Sequence, residues 1–223
     1  MSFDLSILTS QWQPLLQGLL LTLLIWTVSS LLGVILGFAV ALAQLFLGQM
    51  VRAALQGYIW LIRGTPFLIQ LFIIYYGGPF FGLDLSPLMA GILGLMLYGG
   101  AYFAEIFRSG FLSVARGQVE AAKIVGMMPG QIVRHIQLPQ MMVIITPALA
   151  NMVIILGKET AVLSVITVSE LTAVVSGIGS MTFAYAETLL FLALTYWALV
   201  ELCSMLARWI ERKFGHFTIG SPF

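Results

Sequence analysis

The sequence predicts an all-α membrane protein with five transmembrane helices, and its composition is the first reason. Of the 223 residues, 60% are hydrophobic and only 9% are charged, whereas a soluble domain has roughly 25% charged residues. So few charges cannot cover a water-facing surface, and the bilayer must therefore solvate much of the chain. Five apolar segments also reach the ~20 residues that a spanning helix needs. These segments cover residues 18–47, 58–76, 87–107, 141–165 and 187–206.

Each of these segments is interpreted as a helix because it is a continuous apolar run. A transmembrane strand would instead alternate in polarity over about ten residues. The second and third spans are separated by Gly77, Gly78 and Pro79, which are residue types typical of turns. The longest polar segment is the loop 112–139 between the third and fourth spans, and we therefore expect residues 1–223 to form a single transmembrane domain.

The distribution of basic residues predicts the orientation of the spans. Of the ten Lys and Arg residues, all except Lys158 fall at or near the cytoplasmic face if the N-terminus lies outside. The outer segments then hold only acidic charges, at Asp4, Asp84, Glu170 and Glu187. Because loops rich in Lys and Arg stay in the cytoplasm, the sequence predicts an N-out, C-in topology.

Several classes of function are excluded or disfavoured. The net charge of +1 gives no reason to expect nucleic-acid binding. The single cysteine, Cys203, excludes an internal disulfide and a cysteine-based metal cluster. No G-x-x-x-x-G-K-[ST] phosphate loop occurs, so the chain is not expected to hydrolyse ATP. Residues 1–14 hold no Lys or Arg, and the first apolar run is long, so we expect no cleavable signal peptide.

The first span contains a G-x-x-x-G pattern at Gly33 and Gly37. This spacing allows two membrane helices to approach closely. Glycine is also common in membrane helices generally, so an ordinary apolar span with two glycines is the alternative interpretation.

The loop 112–139 contains the most informative local pattern. Residues 120–125 predict a short helix whose Glu and Lys are spaced i,i+3, and Gly126 is a natural C-terminal stop. Pro129 can open a second short helix, and Pro139 can open the fourth span in the same way. These features alone indicate an amphipathic linker on the membrane surface.

The spacing within this loop indicates more. Glu-Ala-Ala, three residues, Gly, nine residues and Ile-x-Leu-Pro resembles the EAA loop of importer-type ABC transporter permeases. Every fixed position of that pattern is filled, at Glu120, Ala121, Ala122, Gly126, Ile136, Leu138 and Pro139. The resemblance implies an importer-type ABC permease fold in which this loop forms a cytoplasmic coupling helix that docks in a groove on an ATPase subunit.

Other stretches resemble the polar-amino-acid permeases of that family, and the resemblance extends from Leu19 to about Arg212. They are Arg63-Gly64-Thr65-Pro66 with Gln70-Leu71-Phe72, Ala101-Tyr102 with Glu105, Arg108 and Gly110, and Lys158-Glu159-Thr160 with Ser164 and Glu170-Leu171. The resemblance implies the membrane-channel subunit of an ATP-driven, binding-protein-dependent importer for polar amino acids or close derivatives. It implies a multi-pass protein of the bacterial inner membrane that is not itself an enzyme.

The resemblance also implies partners. These are a second permease subunit, identical or paralogous, two ATPase subunits and a periplasmic or surface amino-acid-binding protein. No cofactor is expected in this chain, because ATP and Mg would bind to the ATPase subunits. Transport would then proceed by alternating access, driven by ATP binding and transmitted through the coupling loop.

Ionisable residues inside membrane spans are costly and point to function. Glu105 and Arg108 are spaced i,i+3 and can pair on one helix face, which favours a structural role at the inner end of the third span. Arg63 precedes a Gly-Thr-Pro break in the second span. It either extends its side chain to the membrane interface or takes part in a gate or an inter-subunit contact.

Lys158 and Glu159 lie in the outer half of the fourth span, about 26 Å of helix from its start. Adjacent residues diverge by about 100° on a helix, whereas Thr160 and Ser164 share a face. The helix therefore faces a polar cavity or unwinds near Gly157, as the broken helices of transporter substrate sites do. We predict that all four polar residues contact substrate, with Lys158 binding the carboxylate and Glu159 the ammonium of an amino acid. A lysine reaching the outer headgroups beside a paired glutamate is the alternative.

Glu170 is grouped with this substrate pathway, although its spacing favours a capping role. It follows Thr167 by three residues, as in a capping box at the start of a short outer helix. Contact with a periplasmic binding protein is the alternative.

Two other classes of function are considered. A secondary transporter or channel would use Lys158 and Glu159 for ion or proton coupling without an ATPase, but it does not explain the complete coupling-loop pattern. A purely structural membrane subunit does not explain the polar fourth span.

Overall fold

The computed structural model describes residues 6–215, and helices dominate this part of the chain. The α-helices are α1 Ser6–Ser10, α2 Trp12–Phe46, α3 Gln49–Arg63, α4 Phe67–Phe72, α5 Pro87–Ser113, α6 Arg116–Ile124, α7 Pro129–Ile132, α8 Leu138–Glu159, α9 Leu171–Thr182 and α10 Tyr185–Gly215. Short π-helical turns cover Ile73–Gly77 and Val133–Gln137, and 3₁₀ segments cover Gly78–Phe81 and Thr160–Ile166.

Within the described residues, four helical segments are long and apolar enough to cross a membrane. They are Trp12–Phe46, Pro87–Ser113, Pro129–Ile166 and Tyr185–Arg212. A fifth span results if the bent pair Gln49–Arg63 and Phe67–Phe81 counts as one crossing. The all-α class with up to five spans is therefore confirmed.

The second span is not the single helix predicted over 58–76. Its two halves, α3 and α4, are bent by 109°, because Pro66 lacks an N–H group and adopts an extended conformation (φ −63°, ψ 140°). The side-chain amide of Gln70 donates hydrogen bonds to the carbonyls of Ile62 (2.7 Å) and Thr65 (2.9 Å). The buried amide thus satisfies carbonyls that the interrupted helix leaves without partners.

Helices α2 and α5 pack closely through the predicted G-x-x-x-G pattern. A Cβ atom on Gly37 would lie 2.5 Å from Cβ of Phe103, 2.8 Å from the nitrogen of Ala104 and 2.9 Å from the oxygen of Gly100. A Cβ atom on Gly33 would lie 3.4 Å from the Phe103 ring. The close-contact interpretation of these two glycines is therefore confirmed.

The fourth span is longer than the predicted 141–165. Pro129 opens α7 and Pro139 lies in the first turn of α8, both as expected, but the helical path does not begin at Pro139. Gln137 is already helical before it (φ −75°, ψ −48°), and the π-helical turn Val133–Gln137 joins α7 to α8. The wider π-helical turn accommodates a proline that cannot donate a backbone hydrogen bond. The result is one apolar helical segment over Pro129–Ile166.

We expect Gly37→Ala to lower the thermal stability, because the added methyl group must displace Phe103 and the α5 backbone. Such overpacking typically costs about 1–3 kcal/mol. Gly57→Ala in α3 is the matched control, since an added Cβ there meets nothing within 4 Å and alanine favours helix over glycine. The unfolding temperature of the detergent-solubilised protein reports the stability of both variants. An unchanged value for Gly37→Ala would contradict a tight contact between α2 and α5.

Candidate functional site

The coupling-loop pattern begins on α6 and ends on α8. Helix α6 starts one turn earlier than predicted, at Arg116. Its end is confirmed at Gly126, which adopts the left-handed conformation (φ +81°) that glycine takes without strain. The amide of Met127 donates to the carbonyl of Ala122 at 3.0 Å and so closes the helix end. Among the described residues, no ion pair is found between Glu120 and Lys123, although their i,i+3 spacing would allow one.

The residues of the pattern divide into exposed and anchored groups. Glu120, Ala121, Gly126 and Pro139 are exposed, while Ala122 is buried. The other two, Ile136 and Leu138, are partly buried against the main hydrophobic core.

The surface beside Gly126 is unusually apolar for a polar loop. Ile124 is 86% exposed, Val125 76% and Met128 70%. An exposed apolar patch with a polar rim is typical of a protein-binding surface. The loop is also tied to the fourth span, because the side-chain amide of Gln140 donates to Oε1 of Gln118 at 2.5 Å.

Lys158 and Glu159 lie in the last turn of α8, where Lys158 is exposed and Glu159 partly buried. Among the described residues, no ion pair joins these two side chains. The helix does not unwind at Gly157. A side chain there would overlap the ring of Trp26, whose indole Nε1 donates to the carbonyl of Val153 at 2.7 Å. Gly157 therefore permits a close approach between α2 and α8.

Thr160 and Ser164 do not share the face predicted for them. The chain tightens into a 3₁₀ segment from Thr160 onward, and three residues per turn replace the α-helical periodicity. Thr160 is fully buried and donates to the carbonyl of Gly157 at 2.7 Å. Ser164 is partly buried and donates to the carbonyl of Ala161 at 2.7 Å. In this conformation, Thr160 faces the protein interior and is separated from the exposed Lys158.

Glu170 caps α9, but not through a capping box. Its carboxylate accepts hydrogen bonds from the amides of Thr172 (2.9 Å) and Ala173 (2.8 Å), so Glu170 is itself the N-cap residue. Thr167 instead ends the preceding 3₁₀ segment in a left-handed conformation (φ 67°). The side chain of Glu170 is fully buried. In this conformation the carboxylate is therefore not accessible to a binding protein.

The Glu170 carboxylate lies at the centre of a buried polar cluster. Tyr196 on α10 donates to Oε2 at 3.1 Å, and Thr22 on α2 approaches the same oxygen at 3.5 Å. The hydroxyls of Thr160 and Thr172 lie 3.4 Å and 3.1 Å from that of Tyr196. Burial raises the pKa of the Glu170 carboxyl, and the hydrogen bonds that it accepts from Thr172, Ala173 and Tyr196 oppose the effect. The cluster, which we call the Glu170 joint, connects α2, α9, α10 and the 3₁₀ segment.

Sequence reasoning missed the partners of Glu170 in this joint. A single threonine or tyrosine in an apolar span does not by itself indicate a buried polar contact. In addition, the whole of α9 lies between Glu170 and Tyr196 in the sequence. A search for hydroxyl residues that could satisfy a buried carboxylate would have suggested them.

Glu105 is shared by two arginines and lies in the C-terminal half of α5. Arg108 donates to both carboxylate oxygens at 2.9 Å, which confirms the i,i+3 pair. Arg63 on α3 approaches Oε2 at 3.5 Å, and its guanidinium lies 5.3 Å from the centre of the Tyr102 ring.

No group of three or more His, Cys, Asp or Glu that could hold a metal ion is found among the described residues.

We expect Glu170→Gln to lower stability by about 1–2 kcal/mol, because an amide has only one oxygen to accept the hydrogen bonds of the cap and of Tyr196. Tyr196→Phe removes one donor and should cost less. The double variant should be destabilised by less than the sum, since both changes break the same contact. Thermal unfolding measures the stability of all three variants, and Asp84→Asn in the exposed turn before α5 is the control. Strict additivity would contradict a connected joint.

Comparison with known proteins agrees with the all-helical membrane fold described above. Residues 29–216 match the model of the family described as "Binding-protein-dependent transport system inner membrane component". The chain is 35% identical over 215 residues to the probable amino-acid ABC transporter permease protein YckA of Bacillus subtilis (strain 168), covering 96% of this chain and 95% of the relative. It is 33% identical over 221 residues to the arginine transport system permease protein ArtQ of the same organism, covering 96% and 98%.

Solved structures are similar over nearly the whole chain. The crystal structure of an amino acid ABC transporter with histidines matches with a TM-score of 0.88 and 34% identity, covering 96% of this chain and 100% of the other. An inward-facing MetNI methionine ABC transporter matches with a TM-score of 0.75, covering 91% and 96%, and at 22% identity it supports the fold alone. The chain therefore belongs to the family of binding-protein-dependent transport system inner membrane components.

Proposed function

We propose that this chain is the membrane-channel subunit of an ATP-driven, binding-protein-dependent importer for polar amino acids or close derivatives. The supporting relatives bear names of amino-acid, arginine and glutamine permeases and align over most of their length. The observation that carries the proposal is the helical segment Pro129–Ile166. It begins in the coupling loop and carries the Lys158–Glu159 pair in its outer part.

The proposed assembly contains two permease subunits, two ATPase subunits and an amino-acid-binding protein at the outer face. ATP and Mg bind to the ATPase subunits. The whole chain, residues 1–223, acts as one permease domain in the bacterial inner membrane with its N-terminus outside. The positive-inside distribution of Lys and Arg supports this orientation.

Coupling is proposed to start at the exposed surface of α6. Glu120, Ala121 and the neighbouring apolar side chains of Ile124 and Val125 would dock on the ATPase subunit, while Gly126 fixes the end of the helix. A displacement of the loop would reach α8 because Ile136 and Leu138 pack on the same core as α8. A continuous helix transmits such a displacement along its length, here toward the Lys158–Glu159 pair.

The exposed Lys158 and the partly buried Glu159 are proposed to bind opposite ends of a zwitterionic substrate. A carboxylate requires a cation, an ammonium group requires an anion, and adjacent residues of opposite charge supply one of each. Ser164, which lies about one and a half turns beyond Glu159, is a further candidate contact. For Thr160 and Glu170, the observed contacts support a role in positioning this segment.

The proposal predicts ATP-dependent uptake of an amino acid by proteoliposomes that contain the complete complex. Labelled L-arginine, L-glutamine and L-cystine are the probes. Gly126→Val should reduce uptake by about tenfold or more, because valine is strained by roughly 1–2 kcal/mol in the left-handed conformation and the docking surface shifts. Gly130→Val in the same loop is the matched control, since it requires no positive φ and an added Cβ meets nothing within 4 Å.

Two results would contradict this function. Uptake that persists without the ATPase subunits would favour a secondary transporter or channel. Wild-type uptake and wild-type stimulation of ATP hydrolysis by Gly126→Val would remove the coupling role assigned to the loop.

Lys158→Met and Glu159→Gln should each reduce uptake by about tenfold, the effect of losing one charge-assisted hydrogen bond to substrate. Complex assembly and thermal stability should remain near wild type. If the pair is structural instead, each single variant should destabilise the protein and the double variant should recover much of its stability and transport. Recovery of transport in the double variant would rule out the substrate contact.

A further inference from the structure

One face of α5 carries a line of partly buried polar and aromatic side chains. Tyr98, Tyr102 and Glu105 are spaced i, i+4 and i+7 and therefore form one stripe along the helix. Each is partly exposed, whereas residues 99–101 and 103–104 between them are buried. The stripe thus lies at the edge of the main hydrophobic core, where Tyr98 and Tyr102 pack against it and keep one side exposed. It covers about 10 Å along the helix axis at 1.5 Å per residue.

The outer end of this stripe lies near the proposed substrate pair. Helices α5 and α8 lie close together here, since a Cβ atom on Gly99, the residue after Tyr98, would lie 2.9 Å from the side chain of Leu156, three residues before Glu159. The rings of Tyr98 and Tyr102 are then 4.9 Å apart, at an interplanar angle of 47°. The stripe on α5 therefore begins beside the part of α8 that carries the Lys158–Glu159 pair.

The inner end of the stripe carries an excess of positive charge. Two guanidinium groups share the single carboxylate of Glu105, and Arg108 binds both of its oxygens at 2.9 Å. Arg63 reaches only Oε2, at 3.5 Å, and its side chain remains 44% exposed. The charge of Arg63 is therefore the less compensated of the two.

The position of Arg63 leaves most of its hydrogen-bonding groups available. A guanidinium has five N–H donors, and the Tyr102 ring holds it through its π face, 5.3 Å from the centroid, without using any of them. A planar guanidinium with free donors is well suited to bind a carboxylate through two hydrogen bonds. An arginine that only extended to the lipid interface would not need to lie over an aromatic ring beside a shared carboxylate.

We propose that Arg63 is a second carboxylate-binding position on the substrate path, reached from Lys158 and Glu159 along Tyr98 and Tyr102. The proposal rests on the transport function given above and adds a specific residue to it. An amino acid leaving the outer pair would exchange the Lys158 ammonium for the Arg63 guanidinium as the partner of its carboxylate. Glu105 competes for the same guanidinium, so binding at this position stays weak enough for release.

The experiment compares Arg63→Gln with wild type in proteoliposomes that contain the complete complex. The probe is whichever of L-arginine, L-glutamine and L-cystine the wild-type complex transports fastest, together with the α-carboxamide of the same amino acid. Arg208→Gln is the matched control, because Arg208 is a half-exposed arginine in another ion pair, 2.7 Å from Glu201. Each variant is measured for uptake rate, complex assembly and unfolding temperature.

We expect Arg63→Gln to reduce the ratio of amino-acid uptake to carboxamide uptake by about tenfold, the effect of one lost charge-assisted hydrogen bond. Arg208→Gln should leave the ratio at the wild-type value. A structural role of Arg63 would lower both uptake rates equally and leave the ratio unchanged, which would overturn the proposal. If Arg63→Gln does not assemble, Arg63→Met decides in its place because it also removes the cation, and a wild-type ratio in that variant is equally negative. Failure of the wild-type complex to transport any of the three probes would overturn the underlying function as well.

Discussion

Inside a bilayer, a backbone or side-chain polar group has no water to bind and needs a partner from the protein. The structure meets this requirement mainly with local side-chain contacts. Gln70 satisfies the carbonyls of Ile62 and Thr65 where the second span bends, and Glu170 satisfies the first amides of α9. Among the described buried side chains, only the hydroxyls of Ser29 and Ser30 and Oε1 of Gln44 have no hydrogen-bond partner.

The same requirement determines how the helices are connected. The Glu170 joint uses one carboxylate to cap α9 and, through the Tyr196 hydroxyl, to reach α10 and the 3₁₀ segment. The Glu105 carboxylate similarly joins α3 to α5 through Arg63. Replacing the carboxylate of Glu170 or Glu105 would leave several donors without an acceptor. We therefore expect each carboxylate to stabilise the contacts between its neighbouring helices as well as its own segment.

The sequence was sufficient for features that depend on composition or on one residue. Apolar run length predicted the spans, and the conformational freedom of glycine predicted the stop at Gly126. The sequence was insufficient where tertiary contacts or a backbone break overrode the helical preference of a segment. Hydropathy does not detect the break at Pro66, because the residues on both sides remain apolar. The change from α-helical to 3₁₀ geometry at Thr160 places Thr160 and Ser164 on different faces. No residue pattern in the sequence predicts that change.

The length of the helical segment Pro129–Ile166 has a mechanical consequence. Its 38 residues correspond to about 57 Å of helix at 1.5 Å per residue. The hydrocarbon core of a bilayer is about 30 Å thick, and the whole bilayer with headgroups about 40–45 Å. At the mean tilt of membrane helices, about 20°, a straight segment of this length would extend about 54 Å along the membrane normal, so one end would lie outside the lipid. A protein in the aqueous phase could then displace the segment by contacting that end, without entering the membrane.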